Sequence, residues 1–194
     1  MRNFKKQFSK KKLKPIINFG HMPLGNGFIK KNKKIEYKYE MKVGYNKSLN
    51  LFQLYSNPDP KKMFNNNYAF LSSTSDSMKN HFKKYAVTLK KMIKKKNFSI
   101  LEVGCNDGIL LENFKNQDHL GVEPSKNVYK ISKNKNLNVI NKFFNLKLAE
   151  SKFLKKKKFD IICGANVFCH IPNLEELFKI SEFFLNKNGI FVIE

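Results

Sequence analysis

One short stretch constrains the fold of this chain more than any other: an apolar strand that runs into a turn with two glycines, followed by a second apolar strand that ends on an acid. The first strand and the turn read SILEVGCNDG over residues 99–108, and Glu123 comes fifteen residues after the second glycine. We predict strands at 98–103 and 119–123 with a helix at 108–116 between them. This arrangement is typical of the first half of a nucleotide-cofactor site on a doubly wound parallel sheet.

Two glycines and one acid give this spacing its physical meaning. Gly104 lets the backbone pass close under a ligand with which a Cβ would collide, and Gly108 lets the helix pack tightly on the strand. The free N–H groups at the start of that helix favour a negative group. Glu123, about 20 residues beyond Gly104, is expected to accept hydrogen bonds from both ribose hydroxyls of a nucleoside cofactor.

The residues between the two glycines favour S-adenosylmethionine (SAM) over a dinucleotide. A pyrophosphate is bound by G-x-G-x-x-G, whose second glycine allows close approach, whereas this loop reads Gly104-Cys105-Asn106-Asp107-Gly108. The loop lacks the central glycine and places a carboxylate where a phosphate would lie, and two anions there would repel each other. SAM carries a sulfonium, an ammonium and one carboxylate, so an acid is acceptable beside it. An NAD site and a glycine turn without a ligand are the alternatives.

Further residues complete the predicted cofactor site. We expect Asn106 and Asp107 to face the methionine end of SAM, and Pro124 to fix the turn that leaves the second strand. Asn166 follows the fourth predicted strand, at the mouth where ligands of open α/β sheets bind. The predicted cofactor-binding residues are Glu102, Gly104, Asn106, Asp107, Gly108, Glu123, Pro124, Phe143 and Asn166.

Two interpretations, one functional and one structural, are open for each of the aromatic and histidine side chains near this site. Phe143 or Phe144, just past the third predicted strand, is expected to cover the adenine, and plain core packing is the alternative. His170 lies beyond the fourth strand and is the candidate catalytic residue, as a base or as a partner of a sugar hydroxyl. Its alternative is a structural role in the turn before Pro172.

The net charge of +23 suggests nucleic acid as a partner. Arg2 is the only arginine, however, and asparagine, isoleucine and phenylalanine are heavily used, as in proteins from AT-rich genomes. A reader of bases or phosphates would favour arginine. We therefore expect no nucleic-acid partner, and keep a basic RNA methyltransferase or a membrane-surface role as alternatives.

Apolar stretches and cysteines point to a cytoplasmic protein. The sequence has no run near the roughly 18 apolar residues that span a bilayer and no secretory signal at its basic start. Cys105, Cys163 and Cys169 form no CxxC pair, so we expect reduced thiols.

Composition and periodicity divide the chain into four parts. Residues 1–15 form a basic tail, 16–72 a small β-rich N-terminal domain, 73–97 a linking helix and 98–194 an α/β domain. In the last part strands alternate with helices, which implies right-handed crossovers and a parallel sheet covered on both faces. Beyond the elements already given, we predict strands at 137–140, 159–164 and 189–194, and helices at 125–133, 145–154 and 174–186.

Several segments carry a resemblance to a known family, and they occur in the family's order. They are FGHMPLGNGFI (19–29), YAFLSSTSDSMKNHFKKYA (68–86), LEVGCNDGILL (101–111), GVEPSKNV (121–128) and GANVFCHIPNLEELF (164–178). The chain resembles the sugar C-methyltransferases that use SAM on nucleotide-linked keto-deoxysugars. The resemblance implies a Rossmann-like class I methyltransferase sheet, SAM as cofactor and a nucleotide-sugar substrate. It also implies a base that removes a proton next to the sugar ketone, so that the resulting enolate attacks the SAM methyl group.

Two departures from this family limit what carries over. The family's N-terminal domain usually holds zinc through two CxxC pairs, but this chain has Asn46 and Leu49 at one pair and a lysine-rich tail at the other. Without thiolates a tetrahedral sulfur site cannot form, so we expect no zinc. The family also continues into a C-terminal domain with a Tyr/His-Glu-His cluster, whereas this chain stops at Glu194. We therefore expect a sheet truncated after its fifth strand, without the family's catalytic base. A non-catalytic SAM-binding remnant, or a subunit completed by a partner chain, is the alternative.

Overall fold

A computed structural model describes residues 13–26, 28, 36–152 and 154–194 of the chain. The chain divides into two compact units, residues 1–64 and 65–194. Residues 1–12 of the predicted basic tail lie outside the described residues. None of the helices in the described ranges is long and apolar enough to cross a bilayer.

The first unit is built on a three-stranded antiparallel sheet in the order β1-β2-β3. Its strands are β1 (Leu13–Pro23), β2 (Lys38–Asn46) and β3 (Leu51–Leu54), and a short helix α1 (Pro60–Met63) follows them. Asn50 lies in the turn between β2 and β3 with a left-handed φ of 52°, a backbone conformation that asparagine tolerates well. Leu13 and Pro58 are the buried apolar residues, glycine aside, among those described in this unit. The sheet therefore has little core of its own within the described residues.

The second unit holds a five-stranded parallel sheet in the order β6-β5-β4-β7-β8. The chain fills one side of the sheet with β4, β5 and β6 and then crosses to the other side of β4 with β7 and β8. The strand order reverses at this crossing, and ligands of such sheets bind outside the carboxyl ends of the strands there. The strands are β4 (Ser99–Val103), β5 (Asp118–Val122), β6 (Val139–Ile140), β7 (Phe159–Gly164) and β8 (Leu185–Ile193). The predicted Rossmann-like parallel sheet with a β-rich N-terminal part is confirmed.

Helices cover both faces of this sheet. On one face, the apolar stripe Phe82, Ala86, Leu89 and Ile93 of the longest helix packs against side chains of β4 and β7. Ser75 caps that helix by accepting a hydrogen bond from the Met78 N–H. On the other face, the last helix packs against the sheet in a second cluster. The helices are α2 (Asp76–Ile93), α3 (Lys126–Asn134), α4 (Leu146–Ala149) and α5 (Leu174–Phe184).

Two predicted helices differ from the structure. Of residues 145–154, only Leu146–Ala149 form an α-helix, and the helix predicted at 108–116 is wrong. Residues 108–116 form only a 3-10 turn, Leu111–Phe114, after the glycine loop. The Asn113 side chain donates hydrogen bonds of 3.1 Å to the carbonyls of Ile109 and Leu110, and so occupies a carbonyl that the next α-helical turn would use. The predicted stabilisation of an anion by the start of an α-helix therefore does not apply at this loop.

Candidate functional site

The glycine loop follows β4 and takes its shape from three left-handed residues, the two glycines and Asn106, which has φ of 51°. Gly104 has φ of +65° and Gly108 has φ of +84°, conformations that L side chains rarely adopt. A Cβ on Gly104 would lie 2.6 Å from Val167 Cγ2, and one on Gly108 would overlap Leu137. The glycines are therefore required by backbone conformation and by contacts within the protein, and the close ligand approach at Gly104 stays a prediction.

Glu123 lies directly after β5 and its carboxylate closes the loop. Its Oε2 accepts a hydrogen bond from the Asn106 N–H at 3.0 Å, and its Oε1 accepts one from the Ser125 N–H at 2.7 Å. Asn141 donates to the carbonyls of Glu123 and Pro124, both at 2.8 Å, and so fixes the turn in which Pro124 lies. Burial raises the pKa of Glu123, although the two N–H donors lower it in part. Each carboxylate oxygen keeps acceptor capacity for a further donor.

Asn106 and Asp107 contact the chain segment that precedes α2. Asn106 Oδ1 accepts from the Ser72 N–H at 3.1 Å, and its amide group donates to the Phe70 carbonyl at 3.1 Å. Asp107 Oδ2 accepts from the Ser73 N–H at 2.9 Å. The side chain of Asn106 is thus engaged by this segment on both sides, whereas Asp107 keeps its second oxygen for another partner.

Buried acids without cationic partners distinguish this edge of the sheet. Glu102 Oε2 and Asp107 Oδ1 are buried and have no hydrogen-bond partner among the described residues. Within the same residues no salt bridge reaches Glu102, Asp107 or Glu123. Burial raises the pKa of Glu102 well above its usual value, and the nearby Glu123 and Asp107 carboxylates raise it further. A cationic, hydrogen-donating ligand would satisfy these groups. The ammonium of SAM has that chemistry, and its sulfonium adds a second positive charge without a donor.

Phe143 and Phe144 differ in their surroundings. Phe144 is buried, and its ring centroid lies 6.2 Å from that of Phe184 in the core. Phe143 is partly exposed. Of the two, Phe143 is therefore the one free to meet a ligand, and its role over the adenine stays a prediction.

Asn166 and His170 lie in the segment after β7. Asn166 is exposed, has a left-handed φ of 53°, and its N–H donates to the Glu194 carbonyl at 2.9 Å. His170 ends the 3-10 turn Phe168–His170, and partial burial lowers its pKa. A lowered pKa keeps the imidazole neutral, as a base requires. The cofactor role of Asn166 and the catalytic role of His170 stay predictions.

The cysteines show no arrangement for nucleophilic or metal chemistry. Cys105 and Cys163 are buried, and burial, reinforced by Glu102, raises the pKa of both thiols well above the usual range. Cys169 is exposed and free. In the described part of the chain, no three or more His, Cys, Asp or Glu residues are grouped so as to hold a metal ion.

Three residues at this edge had no functional role in the sequence analysis: Tyr85, Asn141 and Glu194. Tyr85 fits the apolar stripe of α2, and only its hydroxyl, which needs a partner when buried, could have marked it. Asn141 comes directly after β6, and a polar residue at a strand end is a weak sign of turn fixation. Glu194 follows β8, and only the sheet topology brings it beside the loop after β7.

Comparisons with known proteins identify a methyltransferase domain in this chain. A family model described as "Methyltransferase domain" matches residues 61–194. The ubiquinone biosynthesis O-methyltransferase of Pelagibacter ubique (strain HTCC1062) is 33% identical over 104 residues, which are 50% of this chain and 42% of that protein. This chain therefore spans less than half the length of that curated relative.

Solved structures show the same fold. The plantazolicin methyltransferase BpumL, in complex with a triazolic desmethylPZN analog and SAH, aligns with a TM-score of 0.51 at 21% identity, over 63% of this chain and 48% of that chain. Its complex with SAH alone aligns with a TM-score of 0.50 at 22% identity, over 72% and 54%. Since the family model matches well over half of the residues, the chain belongs to the methyltransferase-domain family.

Proposed function

We propose that this chain carries the cofactor site of a SAM-dependent methyltransferase. The observation that carries the proposal is the set of three buried carboxyl groups, Glu102, Asp107 and Glu123, with which no described lysine forms an ion pair although the chain has a net charge of +23. A sulfonium and an ammonium complement such a site, whereas a pyrophosphate would be repelled by it. SAM therefore fits these residues better than NAD does.

The residues of this chain would bind and orient the cofactor. Glu123, held by two backbone N–H groups, presents its remaining lone pairs to the ribose hydroxyls. Among the described residues, one oxygen each of Glu102 and Asp107 has no hydrogen-bond partner, and we propose that both stabilise the positive groups of SAM. When bound, SAM supplies the electrophilic methyl group. Alignment of that group with an acceptor is the main catalytic contribution of such a site.

For the acceptor we propose a carbon next to the ketone of a nucleotide-linked keto-deoxysugar. The support is the sequence resemblance over residues 19–29 and 68–86, which lie outside the glycine loop that many methyltransferases share. A base takes the proton from that carbon, and His170 is the candidate within this chain. A partner chain or a further domain is proposed to complete the acceptor side.

A second candidate is O-methylation. It is favoured by the curated relative, which is named an O-methyltransferase of ubiquinone biosynthesis. In that case the acceptor is a hydroxyl, and no proton is removed from carbon.

Calorimetric titration of the folded chain with SAM and with NAD tests the cofactor. We expect one-site binding of SAM in the micromolar range and no heat with NAD; a folded sample that binds only NAD, or neither, contradicts the proposal. Trideuteromethyl-labelled SAM, incubated with a nucleotide-linked 4-keto-6-deoxysugar or with a catechol, then tests the acceptor. Carbon NMR of the product separates a C-methyl from an O-methyl group.

A further inference from the structure

Lysines line the edge of the parallel sheet at which the strands begin, the amino edge, opposite the candidate cofactor site. Three short segments lead into the neighbouring strands β4, β7 and β8, and each carries lysine, at residues 94–96, 155–158 and 187. Lys187 lies where the register of β8 with β7 shifts near the start of the strand. All of these lysines except Lys157 are exposed.

Hydrogen bonds around Asp160 bring the three segments together. Asp160 Oδ1 lies 2.6 Å from Lys95 Nζ and accepts from the Asn186 amide at 3.0 Å. The Ser99 hydroxyl lies 3.3 Å from Asp160 Oδ2 and 3.4 Å from the Lys158 carbonyl. The exposed lysines in and beside this network form one surface, the basic face. It consists of Lys94, Lys96, Lys155, Lys156, Lys158 and Lys187.

The acids at the amino edge do not neutralise the basic face. Asp160 is paired with Lys95, and Asp118 lies 3.6 Å from Lys157. Glu182, near the end of α5, is a further exposed acid at this edge. Within the described ranges, no salt bridge reaches a lysine of the basic face. The face therefore has a positive field that attracts anionic partners.

Base composition explains why lysine is abundant in this chain, but not where the charges lie. The carboxyl edge of the sheet holds the buried acids Glu102, Asp107 and Glu123, whereas the amino edge carries the basic face. β7 has six residues, so the two edges are roughly 20 Å apart. An anionic surface would attract the amino edge and leave the cofactor site facing away from it.

Two exposed apolar side chains accompany the basic face. Met92 in the last turn of α2 is 52% exposed, and Phe183 at the end of α5 is 36% exposed. Both helices end directly before a strand, which places these side chains at the amino edge. Lys158 Nζ donates to the Phe183 carbonyl and lies 5.1 Å from the centroid of its ring. Basic and apolar side chains side by side are typical of protein surfaces that bind anionic bilayers.

We propose that the amino edge binds the surface of an anionic lipid bilayer. The lysines of the basic face contact the headgroups, and Met92 and Phe183 lie at the boundary with the acyl chains. Lysine favours this partner over RNA, because its compact charge suits a field of headgroups. Recognition of RNA favours arginine and exposed aromatic rings, and Arg2 is the only arginine of the chain. The inference goes beyond the proposed function and does not depend on it.

Sedimentation of the full chain with vesicles tests this proposal. One set of vesicles contains phosphatidylcholine and phosphatidylglycerol, and the other contains phosphatidylcholine alone. The edge variant removes one charge from each of the three segments, by Lys96→Gln, Lys156→Gln and Lys187→Gln. The control variant removes the same charge at exposed lysines outside the basic face, by Lys83→Gln, Lys84→Gln and Lys147→Gln. Circular dichroism confirms that each variant is folded.

We expect the full chain to bind the anionic vesicles and not the neutral ones. A lysine near an anionic surface contributes roughly fivefold in affinity, so the edge variant should bind roughly 100-fold more weakly. The control variant should bind like the full chain. Absence of binding to the anionic vesicles overturns the proposal, and so does an equal loss in the two variants, because the net charge alone would then explain it.

Met92→Gln distinguishes a bilayer from RNA without a change in charge. We expect it to weaken vesicle binding several-fold, because an apolar side chain no longer enters the bilayer, and to leave binding of polyuridylate unchanged. Met78→Gln, in the first turn of the same helix and 37% exposed, is the control and should have no effect. Tighter binding of the full chain to polyuridylate than to anionic vesicles, with no effect of Met92→Gln on either, overturns the proposal in favour of RNA.

Calorimetry with S-adenosylhomocysteine keeps this proposal separate from the cofactor site. The edge variant should bind that probe like the full chain, since the basic face lies at the other end of the strands. A full chain that binds anionic vesicles but not S-adenosylhomocysteine contradicts the proposed function and supports the bilayer surface. Should the edge variant fail to fold, Lys156→Gln alone, with Lys147→Gln as its control, gives the same comparison at a roughly fivefold expected loss.

Discussion

Two buried acids of the same parallel sheet, Asp160 and Glu102, differ in their hydrogen bonding. Asp160 lies at the amino ends of the strands, called the structural edge below, and Glu102 lies near their carboxyl ends, called the ligand edge. Asp160, near the start of β7, is fully hydrogen-bonded: Lys95 Nζ lies 2.6 Å from Oδ1, the Asn186 amide donates to the same oxygen at 3.0 Å, and the Ser99 N–H donates to Oδ2 at 3.0 Å. Burial alone would raise the pKa of Asp160, but these donors outweigh it and lower the pKa below its usual value. The buried charge of Asp160 is therefore compensated by donors from the chain itself.

At the other edge, Glu102 has a buried oxygen with no hydrogen-bond partner among the described residues, and its pKa is raised well above the usual value by burial and by Glu123 and Asp107. Lysines are abundant in this chain, yet none of those described forms a salt bridge with these acids. A group that is costly in the free protein and unpaired by its own chain is a candidate for ligand binding. The pairing of a buried acid, and not its burial alone, therefore distinguishes Asp160, whose donors come from its own chain, from Glu102, which the proposed function assigns to a ligand.

The largest expected effect is at the ligand edge. Glu123→Ala removes the acceptor proposed for both ribose hydroxyls and the two hydrogen bonds that hold the loop. We therefore expect the affinity for S-adenosylhomocysteine (SAH) to fall roughly 100-fold or more. Calorimetric titration measures the loss. Glu150→Ala, at an exposed glutamate of the same unit, is expected to bind like the unmodified chain. Unchanged binding in Glu123→Ala would remove the ribose assignment.

At the structural edge, Asp160→Asn is expected to reduce the free energy of unfolding by about 2 kcal/mol, because a buried acceptor for several donors loses its charge. SAH affinity should be unchanged, since the residue lies at the other end of the strands. Urea denaturation and calorimetry check the two parts. Asp118→Asn, whose exposed side chain lies 3.6 Å from Lys157, should cost less than about 0.5 kcal/mol. An Asp160→Asn variant with unchanged stability and weakened SAH binding would contradict the structural role of Asp160.

Much of the sheet could be predicted because its signal is local. The strand at Phe159–Gly164 is buried at every position and has the bounds that the sequence predicts, because the run is apolar except for Asp160 and ends before a loop. The helix predicted at 108–116 failed for a reason that the apolar pattern does not reveal. The side chain of Asn113 competes for the Ile109 carbonyl, and the chain turns as a 3-10 segment instead.

Part of the candidate site could be predicted from local sequence spacing, and part of it depends on the three-dimensional fold. The loop glycines and Glu123 follow from a spacing of fewer than 20 residues. The contact between His81 and Glu194 joins residues 113 positions apart. It depends on the register of β7 with β8 and on the direction of α2, neither of which a single sequence specifies. Tyr85 likewise fits the apolar side of the helical pattern. The pattern predicts where its ring lies, but it carries no information on the surroundings of its hydroxyl.

Removing the unpaired charge at the ligand edge should have the sign opposite to Asp160→Asn. Glu102→Gln is expected to raise the free energy of unfolding at pH 8 by about 1 kcal/mol, because burial penalises this acid at any pH above its unfolded pKa, and to weaken SAH binding. Urea denaturation at pH 8 and calorimetry measure both. Glu112→Gln, at a partly exposed glutamate paired with Lys135, is the control and should not increase stability. A Glu102→Gln variant that is destabilised at pH 8 would show that the carboxylate contributes to the fold.

The smallest effect is the pH dependence of stability, and it separates the two acids by sign. The folded pKa of Asp160 lies below its unfolded value of 3.8, so its contribution is present above that pH and is lost as the pH falls through the folded pKa. The folded pKa of Glu102 lies above its unfolded value of 4.5, so its contribution is present below that pH and is lost as the pH rises through the folded pKa. Each group changes the free energy of unfolding by at most about 1.4 kcal/mol per pH unit. Urea denaturation from pH 3 to 9 should therefore give a difference curve against Asp160→Asn that changes on the acid side, and one against Glu102→Gln that changes above the unfolded pKa. Two difference curves of the same sign would contradict the assignment of opposite roles to the two edges.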